Sequence, residues 1–298
     1  MKILVAGAQG QLARALVDAA RERDGLDVVA LGRPQLDLVD KVTIAEAFAA
    51  IQPDLVVNAA GYTAVDKAES DADAAFAVNR DGAAALAAAA DRHACPIIHI
   101  STDYVFDGAK AEPYVETDPV NPAGVYGRSK LEGETAVRAA NPRHLILRTA
   151  WLYAPYGQNF LRTMVRLARE RPQLRVVGDQ HGNPTYVPHL ADAILAVVAQ
   201  LGAGGHPADV WGVYQAAADG ETTWAGFAAE IVRVGAHHGL PPVPVSPIST
   251  AEYPAPVRRP ANSRLDCTKL ARTFGAKLPP WQQGVSECVS RLARDNLL

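Results

Sequence analysis

The sequence opens with Lys2-Ile-Leu-Val-Ala-Gly7-Ala-Gln-Gly10-Gln-Leu-Ala13, in which a short apolar run ends at a glycine turn. Lys2–Ala6 predicts a strand, and Leu12–Arg21 has apolar residues at helical spacing. Gly7 permits the tight turn, Gly10 lets a ligand approach the backbone, and Ala13 lets helix pack on strand. The stretch therefore predicts a phosphate-binding turn at a helix N-terminus, and the alternative is a glycine turn without a ligand.

Strand-like and helix-like segments alternate after this turn. Helices are expected at Thr43–Ile51, Ala74–His93 and Tyr126–Ala140, and further strands at Val28–Leu31, Leu55–Asn58, Pro96–Ser101 and His144–Arg148. This alternation predicts βαβ units and hence an α/β fold, a doubly wound parallel sheet of the Rossmann type.

The C-terminal part has a different pattern. It predicts helices at Phe160–Glu170, at His189–Leu201 and from Trp224 after a Thr223 cap, strands at Arg175–Val177 and Val210–Gln215, a link at Gly202–Pro207, and an ordered surface loop at Pro241–Pro260. We expect a dinucleotide-binding domain of residues 1–150, to which residues 178–218 return. Residues 151–177 and 219–298 are expected to form a smaller α/β substrate lobe.

Composition excludes several classes of protein. The 298 residues carry a net charge of −3 without any basic run, which argues against binding of nucleic acid or an anionic membrane. No signal peptide is expected, and the longest apolar stretch, Ala83–Ala90, is too short to span a bilayer. Three widely spaced cysteines argue against disulfides and a zinc site, and for a reducing cytoplasm.

The second strand is not followed by the acidic residue that usually binds a ribose 2′-hydroxyl. Gly32 and Arg33 stand there instead, and a guanidinium suits a 2′-phosphate. We therefore expect NADPH to be preferred, with NADH possible; the alternative for Arg33 is a solvated loop charge. Asp37 and Leu38 follow and are expected against the adenine.

Tyr126-Gly-Arg-Ser-Lys130 places a tyrosine and a lysine on one face of a helix. Reduction of a ketone leaves an alkoxide that needs a proton, which a tyrosine can donate, and a nearby ammonium should lower the tyrosine pKa. Ser101 and Thr102 end the fourth strand, at the edge where such sheets bind ligands. The alternative for the Tyr/Lys pair alone is an exposed helix pair.

With these motifs, the chain resembles the extended short-chain dehydrogenase/reductase family. The likeness is closest to members that reduce the 4-keto group of dTDP-6-deoxy-L-lyxo-4-hexulose to give dTDP-L-rhamnose. It rests on Asn58-Ala-Ala-Gly-Tyr-Thr-Ala-Val-Asp-Lys-Ala-Glu-Ser70, Ser101-Thr-Asp-Tyr-Val-Phe-Asp-Gly108, Arg148-Thr-Ala-Trp-Leu-Tyr153 and Arg259-Pro-Ala-Asn-Ser-Arg264, and covers essentially the whole chain.

The resemblance implies a role for each matching residue. Thr102 would polarise the keto oxygen, Tyr126 would protonate it, and Lys130 would tune Tyr126 and bind the nicotinamide ribose. The cofactor would be lined by Gly7, Gln9, Gly10, Gln11, Leu12, Arg33, Asp37, Leu38, Ala59, Ala60, Thr63, Ser101, Tyr126 and Lys130. The sugar nucleotide would meet Val65, Asp66, Thr102, Tyr104, Trp151 and Asn159, with Arg264 on its diphosphate.

Several of these residues have structural alternatives. Trp151 could be core packing, Asp66 and Asn159 helix caps, and Arg264 a structural ion pair. Related dehydratases carry Asp-Glu after the threonine, whereas Thr102 is followed by Asp103 and Tyr104, which disfavours elimination and leaves carbonyl reduction. Asp103 is then expected to order its loop.

Oligomeric state and metal remain open. Some family members form a magnesium-bridged dimer through an acidic residue on the first helix, but Arg14-Ala15-Leu16 stands there, so we doubt a magnesium site and expect a monomer or homodimer. The alternative functions are a non-catalytic NADP-binding regulatory subunit, to which the chain is also similar, and another sugar-nucleotide reductase or epimerase.

Overall fold

The computed structural model describes residues 1–202 and 210–298; most of the predicted link Gly202–Pro207 lies outside the described residues. The strands are β1 (Lys2–Ala6), β2 (Asp27–Leu31), β3 (Leu55–Asn58), β4 (Ile97–Thr102), β5 (His144–Thr149), β6 (Leu152–Tyr153), β7 (Leu174–Val177), β8 (His181–Gly182), β9 (Thr185–Tyr186), β10 (Gly212–Gln215), β11 (Thr222–Thr223) and β12 (Val245–Ile248). The helices are α1 (Gln11–Ala20), α2 (Lys41–Ile51), α3 (Val65–Ala68), α4 (Ala72–Phe76), α5 (Ala83–Arg92), α6 (Val125–Ala140), α7 (Phe160–Glu170), α8 (Val187–Gly202), α9 (Trp224–Ala236), α10 (Thr268–Phe274) and α11 (Trp281–Arg294).

Six parallel strands form the central sheet, in the order β10-β5-β4-β3-β1-β2. The chain passes from β1 outward to β2 and then back across to β3, so the winding direction reverses between β1 and β3. In open α/β sheets a ligand binds at such a reversal, beyond the carboxyl ends of the strands. The predicted Rossmann fold is confirmed.

Both faces of the sheet are covered, which explains why its strands are apolar throughout. Ile3 and Val5 of β1 point to a core shared with α1 and α8. Leu4 and Ala6 point to the opposite core, which α2 and α5 complete. The alternation follows from the two-residue period of a strand.

A third core lies in the C-terminal part. Helices α7, α9 and α11 pack together there around Phe227, Ile231 and Val289, all of them fully buried. Strand β7 joins this core and pairs in parallel with β12. The proposed assignment of this part to a separate substrate lobe stays a prediction.

Two expectations about secondary structure need correction, and two helices were not expected. The helix expected at Ala74–His93 is interrupted by a π-helical turn, Ala77–Gly82, which lies between α4 and α5. The surface loop expected at Pro241–Pro260 contains strand β12. Pro247 lies in this strand, and its missing N–H is tolerated because both strands of a two-stranded sheet are edge strands. Helices α10 and α11 were not predicted, although Trp281, Val285 and Val289 follow a helical spacing.

In the described part of the chain, every helix is too short or too polar to cross a membrane.

Candidate active site

The carboxyl edge of the sheet brings the sequence motifs together. Thr102 at the end of β4 lies opposite Thr149 at the end of β5. Asn58 at the end of β3 pairs with Ala6, which directly precedes the glycine turn. The motifs that begin at residues 7, 58, 101 and 148 therefore meet at one edge, where the sheet topology expects a ligand.

The glycine turn is held tightly against the segment after β3. Gly7 has φ +102°, and a Cβ there would lie 2.9 Å from the Ala60 nitrogen. Its own N–H donates to the Leu31 carbonyl (2.8 Å). Gly10 then precedes α1 and has no side chain to cap it, so backbone N–H groups of the first turn are free for an anion. This geometry fits a pyrophosphate and leaves no room for a larger residue at position 7.

The residues expected beside the adenine and the ribose lie along one side of this turn. Arg33 is exposed, whereas Leu38 is buried against Gly82. The Asp37 carboxylate accepts from the Val39 N–H (3.2 Å). The Gln9 amide donates to the Arg33 carbonyl (3.4 Å), which ties the turn to the end of β2. Their cofactor contacts stay a prediction.

The segment after β3 is linked to α6, the helix of Tyr126 and Lys130, through Asn79, a residue of the π-helical turn. The Asn79 amide bonds to both backbone polar groups of Tyr62, at 2.8 and 3.0 Å, and to the Ser129 hydroxyl at 2.9 Å. Glu69 accepts from the Val125 N–H (2.6 Å) at the start of α6. Ala59, Ala60 and Thr63 are thereby held next to the helix that carries Tyr126.

Thr102 and Asp103 form a buried pair at the end of β4. The Thr102 hydroxyl donates to Asp103 Oδ1 (2.9 Å) and accepts from the Tyr104 N–H (3.2 Å). Burial raises the pKa of Asp103 to about 6, although the Ser263 and Thr102 hydroxyls lower it. Asp103 Oδ2 has no hydrogen-bond partner among the described residues. Asp103 thus accepts the proton of the Thr102 hydroxyl, and its expected role in ordering the loop stays a prediction.

Tyr126 lies half-buried, with the Tyr104 ring edge-on to it at 5.7 Å between centroids. Its pKa is raised, which is opposite to the expected direction. Burial is the largest cause, and the charges of Asp103 and Tyr104 add to it, while the Thr102 hydroxyl lowers it. Tyr126 is therefore protonated at neutral pH, as a proton donor must be, but it is a weaker acid in this structure than a free tyrosine.

Lys130 is buried, and its ammonium donates to the Ile100 carbonyl (2.6 Å). Burial lowers its pKa to about 8, and the Glu134 carboxylate opposes that shift. The ammonium also lies close to Gly61, on the cofactor side of the site.

A neutral histidine lies beside Lys130. His99 is fully buried, and its Nδ1 accepts from the Asn58 amide (3.1 Å), so the ring proton is on Nε2. Burial, together with the Lys130 charge, holds the pKa of His99 well below its usual range. His99 therefore adds no positive charge beside Lys130.

A buried ion pair joins α6 to β5. Glu134 lies one turn beyond Lys130 and binds the Arg148 guanidinium twice, at 2.9 and 2.7 Å. The Ser101 hydroxyl donates to the same carboxylate (2.6 Å). The ends of β4, α6 and β5 are joined by this network, which sequence reasoning missed; the buried Arg148 in an otherwise apolar strand was its signal.

The residues expected on the substrate side divide into two groups. Asp66 is held by the Arg259 guanidinium (2.7 Å to each carboxylate oxygen), and Arg259 lies over the Tyr104 ring. Asp66, Arg259 and Tyr104 thus form one polar wall next to Tyr126, and half-buried Val65 precedes Asp66 on α3. Sequence reasoning did not assign Arg259, although it begins the Arg259–Arg264 motif.

The second group is engaged in contacts within the protein. The Arg264 guanidinium pairs with Glu221 (2.7 Å) and also binds Asn262 and the Ala111 carbonyl, which is the structural ion pair held open above. Asn159 caps α7, and its amide donates to the Gln11 side chain (2.9 Å). Phosphate contact by Arg264 and substrate contact by Asn159 stay predictions.

Comparison with known proteins identifies the family. The sequence model of the RmlD substrate binding domain matches residues 1–294. The chain belongs to this family. Within it, a dTDP-4-dehydrorhamnose reductase of Sinorhizobium fredii is 48% identical, over 97% of this chain and 97% of that protein. One from Burkholderia thailandensis is 46% identical over 98% and 99% of the two chains.

Solved structures agree with this assignment to the RmlD family. A dTDP-4-dehydrorhamnose reductase of Clostridium acetobutylicum has a TM-score of 0.90 at 38% identity, covering 98% of this chain and 99% of its own. The Bacillus anthracis reductase, solved in complex with NADP, has a TM-score of 0.88 at 32% identity, covering 97% and 99%. The fold of this chain is thus a Rossmann NAD(P) binder.

Proposed function

We propose that this protein reduces the 4-keto group of dTDP-6-deoxy-L-lyxo-4-hexulose with NADPH to give dTDP-L-rhamnose. The proposal is supported by end-to-end similarity to reductases of that name, together with the clustering of Thr102, Tyr126 and Lys130 at one edge of the sheet. A reductase in the RmlD family needs a proton donor and an anchored cofactor, and both are provided by these residues.

The reaction needs one hydride and one proton. Reduced nicotinamide supplies the hydride to C4 when it is bound. The Tyr126 hydroxyl gives its proton to the O4 oxygen, and the resulting phenolate takes a proton back from solvent. Thr102 donates a hydrogen bond to O4 once its proton turns away from Asp103, which stabilises the negative charge that develops there.

Lys130 holds its charge in a buried position, where an ammonium acts strongly on its surroundings. It would bind the hydroxyls of the nicotinamide ribose and stabilise the Tyr126 phenolate after proton transfer. The charge on Lys130 is sustained by Glu134, whose carboxylate raises the Lys130 pKa against the effect of burial.

The wall of Tyr104, Asp66 and Arg259 distinguishes this site from that of a dehydratase. Tyr104 stands where those enzymes have a glutamate, and it packs edge-on against Tyr126. Elimination needs a second acid–base group at that position, and a phenol whose pKa burial raises to about 12 does not serve as a base at neutral pH.

The deciding experiment mixes the protein, NADPH and the dTDP-linked 4-keto sugar, and follows the loss of reduced cofactor by absorbance. We expect turnover, with dTDP-L-rhamnose identified by NMR. A parallel UDP-linked substrate tests the nucleotide base, and an EDTA-treated sample tests the expectation that magnesium is not needed. NADPH binding without any turnover would instead support a regulatory subunit.

A further inference from the structure

Trp151 adopts a backbone conformation that side chains rarely take. Its φ is +48°, in the left-handed region, which strains any residue other than glycine. It follows Thr149 by two residues, and Thr149 lies opposite Thr102 across β4 and β5. Such strain persists only where surrounding contacts over-determine it, and it concentrates at functional sites.

Three segments supply those contacts. The Trp151 indole stacks on Trp224, with 3.5 Å between centroids and 7° between planes. Its Nε1 donates to the Ser263 hydroxyl (3.2 Å). Gly182 lies against the indole so closely that a Cβ there would collide with it. We call Gly182, Trp224 and Ser263 the indole clamp.

The clamp is a single connected unit. Gly182 of β8 pairs with Thr222 of β11, two residues before Trp224. Ser263 is bound to His181 through its backbone N–H (2.8 Å) and its hydroxyl (3.2 Å). Gly182, Trp224 and Ser263 are thus linked to one another through β8 and β11, independently of their contacts with Trp151.

Trp151 stays only half-buried despite these contacts, so part of the indole is accessible. Strands β3 and β4 stand between β1, which precedes the glycine turn, and β5, which precedes Trp151, so these two strands are about 14 Å apart at the usual strand spacing. The indole itself contacts Gly182, Trp224 and Ser263, which lie outside the glycine turn. A flat aromatic surface suits the apolar face of a sugar ring or a pyrimidine base.

We propose that Gly182, Trp224 and Ser263 are positioning residues: they hold Trp151, whose contact with the sugar nucleotide the family resemblance implies, and so set affinity for that substrate without affecting the cofactor. This inference rests on the proposed function for the identity of the substrate. Trp224 acts through Trp151. Without the Trp224 ring, the Trp151 backbone should relax from its strained conformation and the indole should move.

The test compares the KM for the sugar nucleotide with the KM for NADPH, because only the first should change. Trp224→Ala should raise the KM for the 4-keto sugar nucleotide about tenfold, as loss of an aromatic pair predicts, with kcat and the KM for NADPH nearly unchanged. Trp224→Phe, which keeps a stacking ring, should restore most of the affinity. Trp281→Phe is the matched control, because Trp281 lies in the same C-terminal core and contacts Phe227.

Calorimetric titration of the NADP⁺-loaded protein with dTDP-L-rhamnose gives a readout that needs no turnover. Weaker binding by Trp224→Ala, with wild-type NADPH affinity, supports the clamp even if the proposed reduction fails. Unchanged binding and KM in Trp224→Ala, or a loss equal to that in Trp281→Phe, would overturn it, as would no dTDP-L-rhamnose binding by the wild type. If Trp224→Ala does not fold, Ser263→Ala, which removes the partner of the Trp151 Nε1, decides by the same criteria.

Discussion

The glycine turn and the catalytic edge lie at the same end of one sheet but are built from different materials. The turn is made of backbone: Gly7 has no side chain to collide with Ala60, and its neighbours would meet a cofactor through their N–H groups. The catalytic edge is made of buried side chains whose pKa values burial has shifted. Recognition of the cofactor should therefore depend on shape, and the reaction on protonation.

The largest effect expected is that of removing the proton donor. Tyr126→Phe should lower kcat about 10²- to 10⁴-fold, because proton transfer to the developing alkoxide is lost. NADPH affinity, measured by fluorescence titration, should stay near the wild-type value, since the turn is untouched. Tyr186→Phe, at a buried tyrosine of the C-terminal core, should keep its activity. A Tyr126→Phe variant with wild-type kcat would remove this residue from its role.

The turn is probed by a pair of glycine substitutions. Gly7→Ala adds a Cβ that meets the Ala60 backbone at a positive φ, whereas Gly25→Ala has a positive φ with open space around it. Each should lose about 1–3 kcal/mol of stability from backbone strain. NADPH affinity should fall only in Gly7→Ala, because the collision displaces the segment after β3. Equal affinity in both variants would show that the turn does not bind the cofactor.

The pH dependence of kcat/KM tests the catalytic edge. Lys130 is active as an ammonium, so activity should hold up to its pKa of about 8 and fall above it. Glu134 raises that pKa, so Glu134→Gln should move the basic limb to lower pH. Glu132→Gln, an exposed carboxylate on the same helix, should leave the limb in place. A limb at the same pH in both variants would contradict the role given to Glu134.

The smallest effect concerns cofactor choice. Arg33 is exposed, and exposed charge pairs contribute up to roughly 1 kcal/mol, so Arg33→Ala should reduce the preference for NADPH over NADH by about fivefold at most. The measurement is kcat/KM for each cofactor at low ionic strength. An unchanged ratio would leave Arg33 as a solvated loop charge.

Local patterns predicted the sheet and the meeting of the motifs well, because apolar runs and glycine turns are set by nearby residues. The confirmed α7, from Phe160 to Glu170, and the Thr223 cap of α9 are examples. Strand β12, which lies inside the proline-rich stretch Pro241–Pro260, could not be predicted, since it exists only through pairing with β7.

The state of the site residues also depends on contacts between distant segments. Arg264 looked suited to a phosphate, yet its position is fixed by Glu221 across the fold. The raised pKa of Tyr126 follows from burial, which a Tyr/Lys spacing does not reveal. The burial of Asp103 beside Thr102 is likewise a tertiary property that the sequence does not reveal.

The π-helical turn at Ala77–Gly82 makes this part of the chain sensitive to the deletion of a residue. Each residue rotates a helix by about 100°, and the wider turn shifts the phase between α4 and α5. Deleting one residue there would restore a regular helix and swing Asn79 away from Tyr62 and Ser129. A one-residue deletion that a surface loop would tolerate would here break the contacts of Asn79 with Tyr62 and with Ser129. This segment should therefore tolerate substitution far better than deletion.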